Sequence, residues 1–243
     1  VDLTNPGQFF ACCGLLELAH RLDRNALGWF DMGSEFKLSG VIGDLLATFR
    51  NAQFKQIALD PMALQLRNEK APKNPDTVNP VEITLRAGAS LTLDWWLRPS
   101  EHNGLKLWSG SNSVIALIED SFAAIKRDNS EDILTTVIQL RRQPFFYAAA
   151  RSLHEREFGM SMDKIGREFE HFPYVELLTL IGLQRFRPSN TATKRFRYVS
   201  WSIPIPAAIA CAVVAGCIDA LSNECFEFPV IDRDDNGHKQ FTR

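Results

Sequence analysis

Pro173-Tyr-Val-Glu-Leu-Leu-Thr-Leu-Ile-Gly-Leu-Gln-Arg-Phe-Arg-Pro188 is a nearly all-apolar run that ends abruptly in Gln184, Arg185, Phe186 and Arg187. A helix that is apolar all round must be buried on every side, so its basic, aromatic end is aimed at something. A second basic aromatic cluster, Lys194-Arg-Phe-Arg-Tyr198, follows within ten residues, across the polar loop Ser189-Asn-Thr-Ala-Thr193. Arg185, Arg187, Lys194, Arg195 and Arg197 are thus interleaved with Phe186, Phe196 and Tyr198. Guanidinium forks suit phosphates and aromatic faces suit unpaired bases, a composition better matched to nucleic acid than to a small metabolite. The competing reading places the rings in the core and leaves the arginines merely solvated or paired with Asp163, Glu168 or Glu170.

The bulk numbers limit this interpretation. With 243 residues, 45% of them hydrophobic, the chain can build one large domain or two small ones. A formal net charge of −2 argues against coating nucleic acid by bulk electrostatics, so any contact must be local. Five cysteines, an odd number without regular spacing, and no signal-peptide pattern point to a reducing cytosol, and the expected location is cytoplasmic. The apolar stretch from Ile205 to Ile218 falls short of the about 20 residues a bilayer span needs, so no membrane partner is expected. The chain opens at Val1 and stops at Gln240-Phe-Thr-Arg243 within what reads as structure, and residues are expected to be missing at one or both ends.

Working outward along the chain, Asn5-Pro6-Gly7 is a helix start and predicts a helix from Pro6 to about Asp23, with Gly14 permitting a close approach. Trp29 to Leu38 reads as a strand pair, Gly40 to Arg50 as a helix with Val41, Leu45, Leu46 and Phe49 inward, and Ile57 to Arg67 as strand and turn. Lys70 to Asp76 has the composition of an exposed loop. Val81-Leu85 and Leu91-Trp95 alternate around Ala87-Gly88-Ala89, a hairpin signal. Ser111 to Arg127 and Ser130 to Arg141 are predicted helices. Phe196 to Ile203 reads as strand, Pro206 to Ala220 as helix and Glu224 to Ile231 as strand. Helices and strands in both halves argue for a single α+β domain over residues 1–243, the alternative being two subdomains, 1–105 and 106–243. Gly14-Leu-Leu-Glu-Leu18 faintly echoes Val175 to Gly182, as a duplication or as chance between Leu-rich helices.

A catalytic constellation is not apparent. His20, His102, His154, His171 and His238 lack the spacing of a zinc helix, and Cys12, Cys13, Cys211, Cys217 and Cys225 read as buried thiols. Asp232, Asp234 and Asn236 before Gly237 imitate the first half of a calcium loop. Its twelfth position would be Arg243 where a Glu is required, so a turn between two strands is the preferred reading. The segment Lys106-Leu-Trp-Ser-Gly-Ser-Asn-Ser113 enters a helix through small polar residues, and Lys106 and Ser111 are candidates to grip a phosphate there. It lacks the Gly-Lys-Ser/Thr ending of a nucleotide-binding loop. No metal or cofactor is expected. Arg141, Arg142, Arg151 and Arg156 form a weaker basic group best read as helix surface.

Asn5-Pro-Gly-Gln-Phe-Phe-Ala-Cys-Cys-Gly-Leu-Leu-Glu-Leu-Ala19 and the Pro173 to Pro188 segment together resemble the Csb and Csx proteins encoded in type I-U (type I-G) CRISPR operons. Phe145-Phe-Tyr147 and Tyr198-Val-Ser-Trp201-Ser-Ile-Pro204 sit where such a protein would have them. The resemblance implies a non-catalytic subunit or accessory of an RNA-guided complex in antiviral defence, with other CRISPR effector subunits and guide RNA or target DNA as partners. It further implies a ferredoxin-like (RAMP-like) core with helical insertions. On this reading the nucleic-acid-binding set is Arg185, Phe186, Arg187, Lys194, Arg195, Arg197, Tyr198, Lys106 and Ser111. Two rival expectations are a protein scaffold joined through exposed Trp95, Trp96 and Trp108, and a metal-dependent nuclease using His154, His171 or the Asp232 loop.

Overall fold

Asn5 accepts hydrogen bonds from the amides of Gly7 and Gln8 at 2.9 and 3.3 Å, and Pro6 occupies the first helical position, so the chain enters a helix at once. The computed structural model describes residues 1–41, 43–58, 79–97, 104–107, 113–128, 132–140, 146, 169–232 and 239–241. Within them the order is α1 (Pro6–Leu22), β1 (Leu27–Phe30), β2 (Phe36–Ser39), α2 (Leu45–Arg50), β3 (Gln53–Gln56), β4 (Val81–Thr84) and β5 (Ser90–Leu93). Then come α3 (Val114–Arg127), β6 (Ile138–Leu140), β7 (Phe169–His171), α4 (Pro173–Arg185), β8 (Ser189–Ala192) and β9 (Arg195–Val199). The last elements are β10 (Ile205–Pro206), α5 (Ala207–Val214), β11 (Cys225–Asp232) and β12 (Lys239–Phe241). The fold is α+β, with helices set against small antiparallel sheets. No helix among the described residues is long and apolar enough to cross a membrane.

α1, whose apolar residues cover most of its circumference, and α4, which is apolar nearly all round, pack on each other. Thr179 Oγ1 donates to Gly7 O at 2.8 Å, Gly14 lies on the Leu178 carbonyl, Gly182 lies on the Phe10 carbonyl, and Glu17 meets Arg185. From Gly7 against Thr179 to Glu17 against Arg185 the contacts advance along both helices in the same direction, so α1 and α4 run side by side and parallel. The crossing is reciprocal: Phe10 and Leu178 each stand four residues before the glycine of their own helix. A Cβ at either glycine would fall under 3.0 Å from the opposing carbonyl oxygen. Only a residue without a side chain allows backbones so close. Each helix is followed by an antiparallel hairpin, β1–β2 after α1 and β8–β9 after α4.

Sheet β12–β11–β9–β8 turns Phe196, Tyr198, Phe228 and Val230 inward toward α1. There Tyr198 lies 4.4 Å from Phe9 between ring centroids, and its hydroxyl donates to Leu3 O at 2.6 Å. Sheet β10–β1–β2 is joined to this cluster by Trp201, which packs on Phe9, Phe30 and Phe36 and donates from Nε1 to Gly28 O at 2.7 Å. Sheet β3–β4–β5 contains the expected hairpin, turned at Gly88 with φ +74. Beyond it Gln184 clamps the following turn: its Oε1 accepts from the amides of Asp94 and Trp95 and its Nε2 donates to Asp94 Oδ1.

Three expectations need correction. The predicted Gly40–Arg50 helix begins only at Leu45, because Gly40 and Gly43 adopt positive φ and Asp44 then caps Ala47; Val41 is exposed, not inward. In the predicted helix from Ser130 to Arg141, the described residues form a turn and then β6, which pairs with β7. The β-branched run Thr135-Thr-Val-Ile138 explains that preference. The helix expected from Pro206 to Ala220 stops at Val214, where Gly216 at φ +73 and bonds from Gly216 N to Val213 O and Cys217 N to Ala212 O close a Schellman turn. The predicted Ile57–Arg67 strand and the Lys70–Asp76 loop fall almost wholly outside the described residues; the strand in that region is β3, just before them.

Candidate nucleic-acid interface

Arg185 sits in the last turn of α4, where a cation is favourable to the helix dipole. Its guanidinium holds both oxygens of Glu17, a carboxylate with no solvent exposure that also receives Arg21 at 2.7 Å. That hydrogen bond raises the Arg185 pKa. The partner is Glu17 in α1; Asp163 and Glu168 lie outside the described residues. Phe186 is fully buried, and Gln184 is occupied by Asp94 and Trp95. The motif that looked aimed at a ligand is largely aimed at the protein's own core, with Arg187 half-buried at its end.

Arg185→Ala is accordingly expected to cost about 2 kcal/mol of stability. That is below the usual penalty for breaking a buried pair, because Arg21 remains on Glu17 and the Arg185 side chain is 26% exposed. Chemical denaturation measures this, and oligonucleotide affinity is expected to stay within about twofold of wild type once folding is corrected for. A large affinity loss in a fully folded variant would return Arg185 to the interface.

The second cluster is arranged differently. β9 alternates Arg195 out, Phe196 in, Arg197 out and Tyr198 in, as a strand must. Phe196 stacks on Phe228 at 5.7 Å, and burial pushes the Tyr198 phenol up, so neither ring is offered to a base. Arg195 and Arg197 share the opposite, exposed face, and Lys194, also exposed, holds the tight turn before them at φ +58. β8 forms the edge of the sheet, and Asn190, Thr191, Ala192 and Thr193 are exposed along it. Ser189 donates to Ala215 O and ties this edge to the end of α5. Glu227 in β11 lies directly opposite Arg197 in register and is exposed beside it.

Phe186 and Tyr198, expected as stacking platforms, are thus core residues, and Arg185 is a structural ion pair. Lys194, Arg195 and Arg197 are brought together on one surface. Lys106 is half-buried beside Leu105, and Ser111 lies outside the described residues; the helix it was expected to enter begins at Val114 with Ser113 as its cap. Trp95 and Trp96 are buried, with Trp95 Nε1 donating to Leu180 O at 3.0 Å, so they do not form an exposed anchor; Trp108 lies outside the described residues. Glu17 and Glu227 were not singled out from the sequence, and Gln184 was named only as part of the helix end aimed outward. A carboxylate on a helix buried all round demands a cation, and that requirement was the available signal for Glu17.

Of the thiols, Cys12 and Cys13 are buried, with desolvation pushing Cys12 up to about 12, so neither is a nucleophile. Cys217 and Cys225 are exposed, contrary to expectation, because the helix ends before the first and the second opens an edge-facing stretch of β11. β11 and β12 pair with Asp232 opposite Lys239, the flanks that a turn between strands requires; Asp234, Asn236 and Gly237 lie outside the described residues. Among the described residues no group of three or more His, Cys, Asp or Glu side chains is placed to hold a metal. His171 is buried, and His154 and the basic group Arg141, Arg142, Arg151 and Arg156 lie outside the described residues. Compared with protein-family models, curated proteins and solved structures, the chain finds no match.

Proposed function

We propose that this protein is a non-catalytic subunit or accessory of a type I CRISPR effector complex that touches guide RNA or target DNA through the Lys194–Arg197 turn and strand. The observation that supports the reading is a pair of exposed arginines, Arg195 and Arg197, on one face of β9 with exposed Lys194 in the turn before them, on a chain whose net charge is −2. Local charge of this kind favours engagement of a preformed ribonucleoprotein over independent coating of nucleic acid. The ferredoxin-like core belongs to the same proposal. It is supported by the four-stranded antiparallel sheet covered by α1, although the described strands lie mainly in hairpin order, and an experimental structure of the assembly is the test of interleaved pairing.

Two measurements test the function. Tagged protein purified from its own host should retain CRISPR proteins and repeat-derived RNA; a clean preparation would defeat the assignment. Association that survives nuclease and high salt would favour a scaffold instead, and chelator-sensitive cleavage of RNA or DNA would favour a nuclease. In the reconstituted assembly, combined Lys194→Asn, Arg195→Ala and Arg197→Ala is expected to weaken nucleic-acid binding by about tenfold or more at moderate salt and to flatten its salt dependence. Asn is chosen at position 194 because it tolerates the positive φ there. Unchanged affinity and salt slope would remove this surface from the function.

A further inference from the structure

We infer that the Lys194–Arg197 surface takes a phosphodiester backbone as its ligand and leaves the bases unread. The inference rests on the nucleic-acid reading above and narrows it. Strand alternation is the physical reason: with Phe196 and Tyr198 directed into the core, no ring of β9 shares a face with Arg195 and Arg197. Phe186, the remaining aromatic of the two clusters, is enclosed as well. Moving any of these rings outward would dismantle the packing of Tyr198 on Phe9 and Phe226 or of Phe196 on Phe228.

The groups left on the surface are those that bind phosphate oxygens: two guanidiniums, an ammonium, the exposed Asn190, Thr191 and Thr193, and the outward amides of an edge strand. Alternate positions on a strand place Arg195 and Arg197 about 7 Å apart along it, a separation of the same order as successive phosphates on an extended strand. Glu227, opposite Arg197, carries the contrary charge and restrains the affinity of the surface.

The test uses the full chain at low salt, with fluorescence anisotropy of labelled RNA and DNA oligomers of about 12 nucleotides, within the range one binding module covers. Two further probes are an abasic DNA of equal length, which keeps every phosphate and no base, and a neutral-backbone oligomer, which keeps the bases and no charge. Abasic and natural DNA are expected to bind within about twofold of each other, and the neutral oligomer not at all. Three phosphate contacts give a log–log salt slope of about −2, or about a 15-fold loss between about 50 and 200 mM salt. Arg195→Ala with Arg197→Ala should bring the slope to about −0.7, and Glu227→Gln should raise affinity a few-fold.

Whichever of RNA and DNA binds tighter identifies guide or target as the source, and abasic parity then supports the inference in either case. Abasic DNA binding about tenfold or more weakly than natural DNA, a loss of about 1.4 kcal/mol, would overturn backbone-only recognition while leaving a nucleic-acid function standing. Failure of every charged oligomer to bind the isolated chain would overturn this inference and leave a role within the assembly standing, whereas indifference of the assembly to the Arg195 and Arg197 changes would overturn both.

Discussion

Gly14→Ala is expected to destabilise the protein by about 2–4 kcal/mol, the sign opposite to helix propensity, which favours Ala over Gly by about 1 kcal/mol in a helix interior. The added methyl would fall under 3.0 Å from the Leu178 carbonyl oxygen. That obstacle is helical backbone and cannot rotate away, so α1 and α4 must separate along a crossing that is buried on both sides. Separation opens gaps around Phe10 and Leu178 and strains the Glu17–Arg185 pair one turn further on. Gly182→Ala meets the Phe10 carbonyl in the same way and should behave alike. In a chain of this size each variant should lower Tm by about 4–16 °C. Because the first methyl already parts the helices, the double variant should cost at least about 1 kcal/mol less than the sum of the two. Either single variant unfolding at or above the wild-type midpoint would show that the crossing is not as close as described.

Trp201→Ala should cost about 3–5 kcal/mol. Trp201 is fully buried and makes ring contacts at 5.1 Å to Phe30 and about 6 Å to Phe9 and Phe36, joining the sheet that contains β1 to the aromatic cluster beneath β9. Removing it leaves a cavity at that junction and deprives Gly28 O of the indole donor. Trp201→Phe keeps most of the volume and loses the hydrogen bond, so about 1–3 kcal/mol is expected from the orphaned carbonyl and the smaller ring. Denaturant titration gives the magnitudes, and hydrogen exchange should show the added opening concentrated in β1 and β2. An alanine variant with the wild-type midpoint would sink this account of the junction. The pair also separates stability from binding: Trp201→Phe, folded, should keep the oligonucleotide affinity of the wild type.

The division of labour between the two basic clusters changes how the Gly-Leu-Gln-Arg-Phe-Arg-Pro segment is understood. Gly182 sets the helix distance, Gln184 fixes the turn at Asp94, Arg185 neutralises Glu17, and Phe186 fills the core. Such a segment would be needed for the fold whether or not a ligand binds nearby. The proposed ligand surface lies one hairpin later, where nothing in the core accounts for two outward arginines on alternate positions of one strand. Arg197 does pass over Gly216 at the end of α5, within 4 Å of where a Cβ there would stand, so it also lies close to a helix C-terminus.

Local rules carried much of the architecture. Asn5-Pro6 started α1 where capping chemistry requires, Ser113 capped α3, and the alternation on either side of Ala87-Gly88-Ala89 became β4 and β5. Expectations failed where two local signals competed. Gly40 and Gly43 overrode the apolar spacing of Val41, Leu45 and Phe49, and Gly216 ended a helix that apolar composition alone extended to Ala220. In the basic region the period of two along Arg195-Phe-Arg-Tyr198 already placed rings and guanidiniums on opposite faces, a signal that the joint reading of the cluster overlooked.

By itself the sequence determined that two segments, Pro6 to Leu22 and Pro173 to Arg185, are helices packed against several neighbours, because apolar residues cover most of the circumference of the first and nearly all of the second. It determined the α+β character too, since caps, glycine turns and β-branched runs act over a few residues. Only the tertiary structure decided that these helices enclose each other, that Arg185 belongs to Glu17 and that Lys194, Arg195 and Arg197 remain on the surface. An ion pair or a helix crossing is a relation between positions 168 residues apart, and its strength depends on distance and burial, quantities that exist only once the chain has folded.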